Sequence, residues 1–100
     1  MAIETKNVIH AAGTVNGADG ARRSGSGYVP ARTGVGVYTL TLDQPINAGE
    51  CQIVTSRGSP IGVPYSISHS NTTDSLKTIV IVDGAGAPFD ATFAFIITRS

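Results

Sequence analysis

Tryptophan is missing from this chain of 100 residues, and charge is scarce. Seven basic residues face seven acidic ones, 14% of the chain together, and the formal net charge is zero. Soluble domains usually carry about 25% charged residues. The one basic pair, Arg22-Arg23, is too little for the electrostatic footprint of a nucleic-acid binder. Cysteine occurs once, at Cys51, so no internal disulfide can form. No apolar run approaches the ~18 residues that a membrane-spanning helix needs. Met1 to Lys6 shows neither the basic start nor the apolar stretch of a secretory signal, so the expectation is a chain made in a cytoplasm and soluble there.

Glycine, threonine and serine fill the places that Lys and Glu usually take, a composition of strands and tight turns. Gly, Pro, Ser and Thr interrupt every helix-sized window before a 3.6-residue apolar period can develop. Period-two alternation is clear instead. Tyr38, Leu40 and Leu42 alternate with Val37, Thr39 and Thr41; Val63, Tyr65, Ile67 and His69 with Pro64, Ser66, Ser68 and Ser70; Phe93, Phe95 and Ile97 with Thr92, Ala94, Ile96 and Thr98. Leu76 to Val82 differs, being apolar on both faces from Ile79 onward, as in a strand covered on both sides or set against a partner chain. Its β-branched residues disfavour helix.

Turn residues separate these runs: Asp43-Gln44-Pro45 with Asn47-Ala48-Gly49, Arg57-Gly58-Ser59-Pro60, Ser70 to Asp74, and Asp83 to Pro88. Asn7 to Val15 reads as a further strand, Asn16 to Gly20 as a turn, and Ala21 to Arg32 as an irregular strand broken by Gly25, Gly27 and Pro30. Strands therefore recur every 10–15 residues or so. The expected fold is all-β, a small antiparallel β-sandwich or barrel, jelly-roll-like, in one domain spanning residues 1–100, with residues 1 to about 6 an extended arm.

The residues that could carry chemistry do not converge. His10 and His69 fall in different strands, and only Cys51 could join them, short of the three or four ligands a zinc site needs. Cys51 follows Glu50 and opens a strand-like run, the setting of a small buried hydrophobe rather than of an activated thiolate. Gly25-Ser26-Gly27 and Gly34-Val35-Gly36 lack the spacing and the following helix of a phosphate loop, and read as bends or close backbone approaches. Asp19, Asp43, Asp74, Asp83 and Asp90 stand singly in turns, where Asp bonds its own local backbone. No serine occupies a Gly-x-Ser-x-Gly elbow. Asn71-Thr72-Thr73 fits a glycosylation acceptor only in a secreted chain. The expectation is a protein that binds or assembles and is not an enzyme, with no catalytic residues, no cofactor and no metal.

One stretch has a familiar appearance. Gly13-Thr14-Val15, Asp19-Gly20 and Gly25-Ser26-Gly27-Tyr28-Val29 precede Arg32-Thr33-Gly34-Val35-Gly36-Val37-Tyr38-Thr39-Leu40-Thr41-Leu42, and Asp43-Gln44-Pro45 follows. This order resembles small β modules of tailed-bacteriophage virions, found at tail-fibre tips and in head-decoration (cement) proteins. The core pattern covers about a third of the chain and carries no catalytic residues with it. The resemblance implies a virion structural protein. A module of this size fits cement, binding the major capsid protein on the capsid surface after synthesis in the host cytoplasm, better than it fits a tail-fibre receptor-binding module. A lectin-like carbohydrate-binding module is the third reading, disfavoured by the lack of Trp and the presence of only three Tyr. Homo-oligomers, with a trimer favoured, go with the decoration role; nucleic acid and membrane do not. The candidate contact residues are Ile3, Val8 and Ile9 at the N-terminal end and Ile79 and Ile81 on the doubly apolar strand.

Overall fold

In the computed structural model, residues 8–60 and 62–99 are described; the expected arm and Ile3 lie outside them. The described residues form eight strands, β1 (Val8–Val15), β2 (Arg22–Ser26), β3 (Tyr28–Gly34), β4 (Val37–Leu42), β5 (Cys51–Arg57), β6 (Tyr65–Asn71), β7 (Leu76–Asp83) and β8 (Phe93–Arg99), and no helix. They pair antiparallel throughout, in two sheets of order β2-β1-β8-β5 and β3-β4-β7-β6. The fold is thus the sandwich of the two expected forms. First and last strands lie side by side, while β1–β2, β3–β4 and β6–β7 are hairpins.

The alternating runs supply the core. Tyr38, Leu40 and Leu42 of β4 and Ile79 and Ile81 of β7 face Phe93, Phe95 and Ile97 of β8 and Ala11 and Val15 of β1. Tyr28 and Phe95 meet edge to face, their centroids 4.7 Å apart at 83°, and Tyr38 packs tilted against Phe93 at 5.3 Å. Gly13 makes room for this packing. A side chain there would collide with the Ser24 carbonyl and the Tyr28 hydroxyl, which bonds that same carbonyl at 2.8 Å.

The two sheets are joined along both flanks, in different ways. On one flank the chain passes from β2 to β3 through a single residue, Gly27, whose φ of 89° suits glycine. The irregular strand expected over 21–32 is therefore two strands meeting at that corner, and Tyr28, wholly buried, plugs the gap between sheets. On the other flank residues 58–64 link β5 to β6. There the inward residues Cys51, Ile53 and Ile67 are only partly covered.

The run from Leu76 to Val82 is not covered on both faces. It is an inner strand with Ile79 and Ile81 fully in the core, whereas Thr78, Val80 and Val82 face outward and are half-buried. As contact residues Ile79 and Ile81 are corrected: alternation turns them inward, and they hold the sandwich together. Val8 pairs with Arg99 and Ile9 with Thr98, so the sheet begins inside the segment assigned to the adhesive N-terminal end.

Candidate functional site

Three places gather side chains that could carry function. At one end of the sandwich, Asp90 accepts two hydrogen bonds from Arg32 (Nε to Oδ1 3.2 Å, Nη2 to Oδ2 2.8 Å) and one from the Gly36 amide at 2.8 Å. The Tyr38 hydroxyl lies 2.7 Å from the Gly17 carbonyl and 3.1 Å from Asp90 Oδ1. The Arg32 hydrogen bonds, helped by the Gly36 amide, hold the Asp90 carboxyl below the usual carboxylate range. Burial, reinforced by the neighbouring Asp90 charge, pushes the Tyr38 hydroxyl up to about 12. Both groups stay in their resting forms at neutral pH, and every Asp90 oxygen is engaged. The Arg-x-Gly-x-Gly-x-Tyr pattern thus folds as the β3–β4 hairpin and aims Arg32, the Gly36 amide and Tyr38 at one carboxylate. It is a structural clamp. Asp90, expected to serve a turn, ties this hairpin to the β7–β8 connection, whereas Asp19 and Asp83 do bond their local turns.

Beside the clamp lies a shallow depression lined by Asn16, Gly17, Ser59, Pro60, Asp90 and Thr92. Thr92 Oγ1 already accepts from the Gly17 amide and the Asn16 side chain from the Ala18 amide, so the polar groups here serve the loops that display them.

The opposite end holds Lys77, which is fully buried. Its ammonium donates to the Ile46 carbonyl at 3.0 Å and to the Thr73 carbonyl at 2.8 Å, joining the β4–β5 loop to the β6–β7 turn. Period-two alternation predicts Lys77 on the inward face with Ile79 and Ile81, and so it is. Cys51 is half-buried nearby; burial raises its thiol above the ordinary value, and the Lys77 charge offsets part of that. An unactivated thiol results, in line with the packing role read for it.

The third place is the outer face of the β2-β1-β8-β5 sheet. Pairing sets its side chains in rows: Ser24, Thr14, Ala94 and Ser56; Ser26, Ala12, Ile96 and Val54; then Ile9, Thr98 and Gln52. None of these eleven residues is ionisable. Ile9 is 65% exposed, Val54 63% and Ile96 44%. Ile96 stands directly opposite Val54, and Ile9 lies one row along, so the three make one apolar patch. The outward residues of the other sheet include Val29, Thr39, Thr41, Thr78 and Val80, also uncharged, but there Val29 is the one large apolar side chain exposed on a strand. Charged groups gather at the strand ends and in turns, as with Arg99 against Glu50 at 3.4 Å.

Of the contact residues expected from the sequence, Ile9 is placed on this patch; Val54 and Ile96 were missed. Ile96 was legible as the outward residue between Phe95 and Ile97, but its juxtaposition with Val54 is a matter of pairing. The histidines are in different sheets, and Nε2 of His10 lies 2.6 Å from the Gln44 carbonyl. Among the described residues no three His, Cys, Asp or Glu side chains are grouped to hold a metal ion. No family model, curated protein or solved structure matches this chain.

Proposed function

We propose that the protein is a non-catalytic docking module that seats the outer face of the β2-β1-β8-β5 sheet on a larger assembly, in the form of a head-decoration protein on a phage shell. The observation that carries the docking reading is the uncharged outer face with Ile9, Ile96 and Val54 exposed together. An outer sheet face of Thr, Ser, Ala, Val, Ile and Gln side chains suits another protein surface better than a small ligand, which needs a concave site. The phage shell as partner rests on the residue pattern from Gly13 to Leu42. A decoration protein stabilises a shell by binding the assembled lattice in preference to free subunits, and many copies multiply a weak contact.

The lectin-like reading loses support. Tyr28 and Tyr38 are wholly buried and Tyr65 nearly so, with the Arg57 guanidinium 3.9 Å above its ring. Among the described residues no tyrosine is left as a platform for a sugar. Co-sedimentation with undecorated, expanded shells tests the proposal. The expected result is saturable binding that Ile96→Glu weakens by about tenfold, a loss of ~1.4 kcal/mol, with an unchanged circular dichroism spectrum. Protein that binds no shell yet adheres to host cells or glycans would replace decoration with receptor binding.

A further inference from the structure

We propose that the protein also pairs with a second copy of itself through β5, the two strands running antiparallel about a twofold axis at Val54 to make one eight-stranded sheet. The four edge strands are unequally defended against such pairing. β2 carries Arg22 and Arg23, with Arg23 the extra residue of a bulge; β3 carries Pro30 and a bulge at Thr33. Charges, proline and bulges are the ordinary means of blunting an edge. β5 pairs with β8 over seven consecutive residues without a break, and β6 with β7 likewise. Among the described residues, Gln52 to Ser56 make no hydrogen bond beyond the ladder to β8.

The side chains favour β5 over β6. With the axis at Val54 the whole strand overlaps its copy, Ile53 opposite Thr55 and Gln52 opposite Ser56, so inward residues meet inward residues. Val54 meets Val54 of the second copy, and the row Ala12, Ile96, Val54 runs on across the axis. At each end Arg57 stands opposite Cys51 of the second copy, and no like charges oppose each other. Cys51 and Ile53, half-buried at the open flank, are covered further. The same operation on β6 would bring together only Ser66, Ser68 and Ser70 on the outer side. Seven residues make an edge roughly 23 Å long, less contact than the ~800 Å² per partner of stable complexes, so the pairing is reversible and concentration-dependent. It stands independently of what the outer face binds.

Sedimentation velocity across a concentration series of the full-length protein gives the test, with amide hydrogen exchange at the two extremes. The expected result is a monomer–dimer equilibrium in which the β5 amides gain protection at high concentration and the β6 amides do not. Val54→Lys sets like charges across the axis and lowers the association constant about tenfold or more. Ser68→Lys on β6 leaves it unchanged. A monomer at the highest concentration overturns the proposal. So does a trimer without β5 protection, undiminished association of Val54→Lys, or loss of association in Ser68→Lys.

Discussion

Asp90 concentrates the consequences of single residues, because one carboxylate receives Arg32, the Gly36 amide and a contact from Tyr38. Its folded-state pKa is lowered, so its contribution to stability is present above the unfolded value of about 3.9 and is lost as pH falls through the lower folded value. Tyr38 works in the other direction. Raised to about 12, it contributes below the unfolded value near 10 and loses that contribution as pH rises toward about 12. Urea unfolding against pH should therefore give a plateau with an acid limb and an alkaline limb. Asp90→Asn should lower the plateau by about 2 kcal/mol, the scale of hydrogen bonds to a charged group. It should also shrink the alkaline limb, which would still begin near pH 10 but end below about 12, since the Asp90 charge helps hold the proton on Tyr38. A variant with unchanged midpoints at every pH would remove the clamp from the account.

Within β7, alternation sets Lys77 in line with Ile79 and Ile81, so one residue of a core face is an ammonium. Its two carbonyl acceptors belong to the β4–β5 loop and the β6–β7 turn, and the strand acts as a tie between them. Lys77→Met keeps the aliphatic stem and removes both donors. Thr73 keeps the Leu76 amide at 3.3 Å, but the buried Ile46 carbonyl loses this donor, a cost of about 1–3 kcal/mol, so this change from charged to apolar should destabilise. Chemical denaturation measures it, and a gain in stability would mean that the cost of burying the charge outweighs the two bonds. The β3–β4 hairpin is likewise fixed at its tip, where Arg32 and the Gly36 amide reach Asp90. That gives the glycine-rich pattern a structural reason and leaves the outer faces as the surfaces free for contact.

Across the whole molecule, charge and apolar surface are sorted. The Arg99–Glu50 and Arg32–Asp90 pairs sit toward the ends of the sandwich, and none of the eleven paired residues of the outer face around Ile96 is ionisable. Docking through that face should depend little on ionic strength, because screening acts on charges. Raising sodium chloride from about 50 to about 500 mM, where the screening length falls from ~14 to ~4 Å, should change shell affinity by less than about twofold. A steep loss with salt would move the contact to the charged ends, where Arg99, Glu50 and Arg57 lie. Either result leaves self-pairing through β5 to be judged by its own experiment.

By itself the sequence determined the fold class and most strand positions. Period-two alternation and turn residues act locally: Tyr38-Leu40-Leu42 and Phe93-Phe95-Ile97 had one face to bury and one way to bury it. The strand pairs were decided only in the tertiary structure, and with them everything that rests on neighbours distant along the chain. That Asp90 meets Arg32, 58 positions away, follows from the packing of the β7–β8 connection on the β3–β4 tip. Ile79 and Ile81 became core because their sheet has one covered face, which apolar residues on both sides of a strand could not reveal. The patch of Ile9, Ile96 and Val54 exists because β1 and β5 both flank β8, a neighbourhood set by long-range hydrogen bonding and invisible to any local pattern.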